Sequence, residues 1–255
     1  MKITKIIKKR NNQYQILLSD NTSLSFYDDT IIHFNLLAKK DFSEEELKNI
    51  IKYNNDSSAY YKALSYLKSK LRTKKEVITK LKNLGYSEDI IAKTIQKLIV
   101  QKYLNDELYI TSYIADQVNL TLKGPKKIMQ ELVKLGFKED LIKSYLNKYD
   151  KEIWQEKIEK FIAKKIKSNH NLSQKLLIAK LKTDLINLGY NSELVGKIVT
   201  SIDYPADDAI LTKEINKAYR KYSKKYKDKE LEFKIKSYLY AKGFNSNVNI
   251  SDYID

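Results

Sequence analysis

The chain has 255 residues, with 48 Lys and Arg against 32 Asp and Glu, a net charge of +16 at neutral pH, two His and no Cys. Without cysteine there is no disulfide scaffold, thiol nucleophile or thiolate metal site, and two distant histidines, His33 and His170, argue against a histidine-rich metal centre. Its six glycines, no two within six residues of each other, exclude a phosphate-binding loop and a dinucleotide fingerprint. With no apolar run of about 18 residues and no signal-like leader, the expectation is a soluble cytoplasmic protein without a cofactor.

Residues 2–9 (KITKIIKK), 13–19 (QYQILLS) and 22–26 (TSLSF) are short β-prone runs separated by Arg10-Asn11-Asn12 and Asp20-Asn21. They predict a small antiparallel sheet packed on the helices that follow. Asp28 or Asp29 is placed to cap a helix through Asn35, and Ser43 with Glu46 makes a capping box for a helix over 44–53. The polar run Tyr53–Ser58 (YNNDSS) marks the end of this extension, 1–57.

From there the pattern is helical and it repeats. Leu81-Lys-Asn-Leu-Gly-Tyr86, Leu132-Val-Lys-Leu-Gly-Phe137, Leu185-Ile-Asn-Leu-Gly-Tyr190 and Leu239-Tyr-Ala-Lys-Gly-Phe244 align, with glycines 51, 53 and 54 residues apart. Each reads as a helix ended by a left-handed glycine, with the next aromatic folding back on it. A helix precedes and another follows, which predicts three-helix units at 58–106, 107–149 and 150–203. The last unit, 204–255, lacks a third helix, because 244–255 (FNSNVNISDYID) is short and Asn-rich. The fold class expected is mainly α, an elongated array of tandem three-helix repeats behind a small β element. Such an array offers a long surface and no deep central pocket.

Catalytic candidates are poor. Asp28-Asp29, Glu44-Glu45-Glu46 and Asp207-Asp208 fall at helix starts, where carboxylates relieve unpaired N–H groups. Trp154 lies on an apolar stripe with Ile158 and Phe161, and His33 and His170 read as structural and solvated. No base, nucleophile and orienter can be assembled, so an enzyme is not expected.

The charge is uneven: +1 over 1–57, +6 over 58–110, +2 over each of 111–160 and 161–208, and +5 over 209–255. An excess of lysine points to a polyanion, nucleic acid above all. The contact candidates are Lys68, Lys70, Arg72, Lys74, Lys75 and Lys80, with Lys82 beside them. A second group is Lys123, Lys126 and Lys127 around Gly124-Pro125, where a helix N-terminus offers N–H groups to a phosphate. A third is Lys217, Arg220, Lys221, Lys224 and Lys225, interleaved with Tyr219, Tyr222 and Tyr226. Only two arginines lie in the helical units, so base-edge reading is not suggested.

Ala63-Leu-Ser-Tyr-Leu67, Leu71-Arg-Thr-Lys-Lys-Glu-Val77, Leu81–Tyr86, Ile90-Ile91 and Tyr103-Leu-Asn-Asp106 together resemble the signature region of the RecX family of recombination regulators. Tyr113-Ile-Ala115, Gly124-Pro-Lys-Lys-Ile128, Leu132 and Gly136-Phe137 continue the likeness, which covers roughly 59–250. The strands, Leu36-Leu37 and Phe42–Ile50 resemble the extension of longer members from low-GC Gram-positive bacteria. Arg72 matches a frequent arginine of the first unit, while Thr73, Asn105 and Lys242 depart from the family pattern. The resemblance implies a non-enzymatic modulator of the RecA recombinase, whose tandem units bind in the groove of the recombinase–single-stranded DNA filament and suppress its ATPase and strand-exchange activity. With the basic clusters it gives the expectation of a curved array that also touches DNA phosphates; no membrane partner is expected, and nothing in the sequence demands more than a monomer. The alternative is a stand-alone nucleic-acid-binding repeat protein indifferent to recombinase.

Overall fold

The computed structural model of the chain describes residues 1–245 and 248–250. It is mainly α-helical, with helices in tandem behind an N-terminal antiparallel sheet ordered β1 (Ile3–Lys8), β2 (Gln13–Leu18), β3 (Ser23–Tyr27). Two compact units divide it, Met1–Ile110 and Thr111–Asp255, with the division inside α5 (Asp106–Leu120).

In the first unit the strand connections follow from asparagine. Asn11 and Asn12 have φ of 60° and 58°, the left-handed pair that a tight hairpin turn requires. The inner face of the sheet buries Ile16, Leu18 and Phe26 against Ile31, Leu36, Phe42 and Ile50.

Helix α1 (Asp28–His33) is shorter than expected and stops before Asn35, whose φ is 48°. Asp28 and Asp29 lie in its first turn, behind Tyr27 at the N-cap, and act sideways as well. Asp28 accepts the Tyr61 hydroxyl at 2.5 Å, and Asp29 pairs with Lys97 at 3.2 Å.

The next difference is larger. The Ser43–Glu46 capping box is present, but α2 (Glu44–Leu67) runs unbroken for 24 residues, straight through Tyr53–Ser58. Within the polar run, Asn54 and Ser57 are the residues that α2 turns to β3 and α1, while Ser58 meets the Tyr86 hydroxyl and Asp56 faces Lys93. Asn54 accepts the Tyr27 N–H at 2.9 Å and the Thr30 hydroxyl at 3.1 Å, and it donates to the Ser25 carbonyl at 3.3 Å. Tyr27 also stacks on Tyr61, centroids 4.7 Å apart. Asn and Ser are weak helix formers alone, and tertiary partners reverse that preference here.

The second half of α2 packs with α3 (Lys74–Asn83) and α4 (Glu88–Val100). Their shared core is Ala59, Ala63, Val77, Leu81, Ile91, Ile95 and Leu98. Full burial of a Leu or Ile such as Leu81 contributes about 1.5–3 kcal/mol.

In the second unit come α6 (Pro125–Lys134), α7 (Glu139–Leu146), α8 (Lys151–Lys167), α9 (Gln174–Asn187), α10 (Ser192–Ser201), α11 (Asp208–Tyr222) and α12 (Asp228–Ala241). Helices α8, α9 and α10 pack on one another, and Trp154, Ile158 and Phe161 of α8 are buried, as the stripe predicts. Helices α11 and α12 close over Leu211, Ile215, Ala218, Ile235 and Leu239. The expectation that 244–255 lacks a helix concerns a segment of which 246, 247 and 251–255 lie outside the described residues.

All four repeated glycines behave as one device. Gly85, Gly136, Gly189 and Gly243 have φ of 84°, 101°, 92° and 81°. After each, the aromatic N–H returns to the carbonyl of the leucine five residues before it: Tyr86 to Leu81, Phe137 to Leu132, Tyr190 to Leu185 and Phe244 to Leu239, at 3.0–3.3 Å. With the glycine N–H bonded three residues back, this is the doubly bonded helix end that pairs two of the carbonyls a helix otherwise leaves without partners.

Candidate nucleic-acid interface

The three predicted basic groups meet different fates. Around the α2–α3 turn, Lys68, Lys70, Lys74 and Lys75 are exposed, and among the described residues none has an ion-pair partner. The turn is rigid because Thr73 and Glu76 form a reciprocal capping box on α3. Burial opposes ionisation of Glu76, but the Thr73 N–H and Arg72 outweigh it and hold the carboxyl below its ordinary range.

Arg72 belongs to this framework. Its guanidinium lies 4.1 Å from the Tyr66 ring centroid and 3.3 Å from Glu76, and its side chain is only 17% exposed. Lys80 hangs 5.9 Å from the same ring, and Lys82 pairs with Glu88 at 2.9 Å.

At Gly124-Pro125 the expected phosphate site is already filled by the protein. The Gly124 N–H donates to the Leu188 carbonyl at 2.7 Å and the Lys126 N–H to the Gly189 carbonyl at 3.1 Å. The N-terminus of α6 thus abuts the C-terminal carbonyls of α9, opposite ends of two helix dipoles. A Cβ on Gly124 would stand 2.7 Å from the Gly189 carbonyl carbon, so only glycine permits this approach. Lys123 pairs with Glu131 at 2.8 Å, and Tyr113 donates to the same carboxylate at 2.8 Å. Lys126 and Lys127 keep exposed side chains.

Lys157 shows how far internal use of lysine goes. Its ammonium caps the end of α5 through the Val118 and Thr121 carbonyls, and burial, with Lys160 adding repulsion, pushes its pKa down.

On α11, Arg220 and Lys221 are exposed, as are Lys224 and Lys225 in the following turn, and none has an ion-pair partner among the described residues. Lys217 stands 3.9 Å from Glu214. Tyr222 and Tyr238 pack inward, and Glu214, 5% exposed, accepts the Tyr238 hydroxyl at 2.7 Å. Tyr219 is exposed, and two further aromatic residues, Phe233 and Tyr240, stand out more from this hairpin; the sequence does not single them out, because α12 carries apolar residues on both faces.

No other chemistry emerges. His33 stacks on Tyr53 at 4.2 Å, and His170 lines a shallow cleft with Tyr204 and Pro205. Asp207 serves the start of α9, accepting the Gln174 N–H at 2.8 Å. Among the described residues, no group of three or more His, Asp or Glu is arranged to hold a metal ion, and no helix is long and apolar enough to cross a membrane.

The family model described as RecX, first three-helix domain, matches residues 59–98, and the one described as RecX, third three-helix domain, matches 206–248. Regulatory protein RecX of Staphylococcus carnosus (strain TM300) is 30% identical over 249 residues, 95% of this chain and 93% of its own length. The chain belongs to the RecX family. Regulatory protein RecX of Streptococcus agalactiae serotype III is 33% identical over 248 residues, covering 96% of this chain and 95% of that protein. Among solved structures, a regulatory protein RecX superposes with a TM-score of 0.68 at 27% identity, over 79% of this chain and 99% of that one. RecX from Lactobacillus salivarius gives 0.55 at 32% identity, over 58% and 97%. The sequence similarity to these relatives thus runs over almost the whole of this chain and of theirs.

Proposed function

We propose that this protein regulates homologous recombination and DNA repair by binding the RecA-type recombinase–single-stranded DNA filament and lowering its ATPase and strand-exchange activity. The observation that carries the reading is similarity along nearly the whole chain to proteins named regulatory protein RecX. The cations without ion-pair partners among the described residues support it: Lys68, Lys70, Lys74 and Lys75 on one rigid turn, and Arg220, Lys221, Lys224 and Lys225 at another helix end, suit a target with spaced negative charge. On this reading the extension 1–57 and the segments 58–106, 107–149, 150–203 and 204–255 act in series along the filament, as a monomer.

The test is a DNA-dependent ATPase assay of the cognate recombinase, with filament length followed in parallel. The expected outcome is a lower rate that depends on the concentration of this protein. An unchanged rate and unchanged filament length over a wide concentration range overturn it. Tight, salt-sensitive binding to bare DNA with no effect on recombinase would instead assign a stand-alone nucleic-acid-binding role.

A further inference from the structure

The near-neutral charge of the N-terminal extension conceals a separation of its basic and acidic residues. Residues 1–13 hold Lys2, Lys5, Lys8, Lys9 and Arg10 and no Asp or Glu. All five are exposed on β1 and the start of its turn, and none takes part in an ion pair among the described residues. Most of the acids of this extension work on the helical side. Asp28 and Asp29 hold Tyr61 and Lys97, Glu46 holds Ser43 and Lys39, and Asp56 faces Lys93, whereas Asp20 caps the β2–β3 turn at Thr22.

The two edges of the sheet differ in the same sense. Asn54 of α2 closes the β3 edge through Ser25 and Tyr27, whereas among the described residues β1 meets β2 and, at its start alone, the 40–42 segment, through the Ile3 N–H to Lys40 carbonyl bond and the Lys2–Asp41 bridge. Charge on a free edge also discourages pairing with other chains, but carboxylates serve that purpose as well as lysines do. The pairing register puts Lys5 and Ile7 on the outer face with Gln15, Leu17, Ser23 and Ser25, a face without a carboxylate. It puts Lys8 on the other face at the sheet's end, beside Tyr14 and Phe26, so the basic residues flank the edge from both sides. From Lys5 to Arg10 the strand and turn extend about 16 Å, a reach that spans several consecutive phosphates of one DNA strand.

We propose that the β1 edge, with Lys5, Lys8, Lys9 and Arg10, binds the phosphodiester backbone of single-stranded DNA, a contact additional to the helical lysines. The preceding functional reading enters only in the choice of DNA as the polyanion. The rigid attachment of the sheet to α2 through Asn54 and Tyr61 makes this edge a fixed part of the first unit's surface.

The experiment measures binding of the full chain to oligothymidylate, without recombinase, as a function of salt. In K5Q/K8Q/K9Q/R10Q the slope of log affinity against log salt should shrink by about 2 to 3, since each phosphate contact on single strands contributes about 0.7. The control K48Q/K52Q, on α2, should leave the slope unchanged. Far-UV circular dichroism checks the fold, and the single reversal K9E, at a residue that packs on nothing buried, should weaken binding without disturbing it. An unchanged slope in the quadruple variant, or no binding by the wild type, overturns the proposal. Intact oligothymidylate binding with lost action on the recombinase also overturns it, by assigning the edge to a protein contact. A shrunken slope in a protein that leaves recombinase ATPase untouched sustains it while the regulatory reading fails.

Discussion

Gly85 and Gly189 close nearly identical hexapeptides, LKNLGY and LINLGY, with the same left-handed conformation and the same pair of backbone hydrogen bonds. Their surroundings are opposite. A Cβ on Gly85 would meet nothing within 4 Å, whereas one on Gly189 would stand 2.3 Å from the Lys127 nitrogen. At Gly85 the glycine serves its own helix; at Gly189 it serves that helix and the seating of α6 as well. A repeated motif therefore states how a helix ends without stating what the end is used for.

Four measurements break or sharpen the contrast. Gly189→Ala should cost about 3–4 kcal/mol in denaturant unfolding, combining left-handed strain with overpacking against α6. Its hydrogen-exchange signature should be loss of protection in α6 and α9, with α3 untouched.

Tyr190 offers a pH handle on the same junction. Its hydroxyl donates to the Leu122 carbonyl at 3.0 Å, and burial raises its pKa to about 12. Because the folded pKa lies above the unfolded one, this stabilisation is complete below pH 10 and lost as pH rises through 12. Alkaline titration should therefore remove about 2–3 kcal/mol, and Tyr190→Phe should flatten that part of the pH profile.

Gly124→Ala should cost about 2 kcal/mol, because its backbone suits alanine and only the close approach to Gly189 is violated. Gly85→Ala should cost the least, about 1 kcal/mol of conformational strain with no steric contribution. Equal losses at Gly85 and Gly189 would show that the helix end itself, rather than its neighbour, sets the requirement.

Arg72 and Lys68 teach a related lesson about the candidate interface. Both stand in one basic run, yet Arg72 is held between Tyr66 and Glu76 while Lys68 is free in solvent. Net charge by region hid the β1 cations for the converse reason: averaging Lys5, Lys8, Lys9 and Arg10 with Asp28, Asp29 and Glu46 cancelled groups that the fold keeps apart. The YNNDSS run reads as a boundary in the sequence because the partners of its Asn54, the Tyr27 N–H and the Thr30 hydroxyl, lie 24 to 27 residues away.

What was legible from residues alone is local. Strand runs, asparagine turns, capping boxes and the glycine spacing are decided by backbone sterics and by hydrogen bonds between residues a few positions apart. The tertiary structure decided everything that depends on a distant partner. It made α2 one helix, filled the α6 N-terminus with the carbonyls of α9, and sorted the lysines into those that hold the fold and those left in solvent. A lysine carries the same charge in either role, and only the position of the nearest carboxylate or carbonyl distinguishes them.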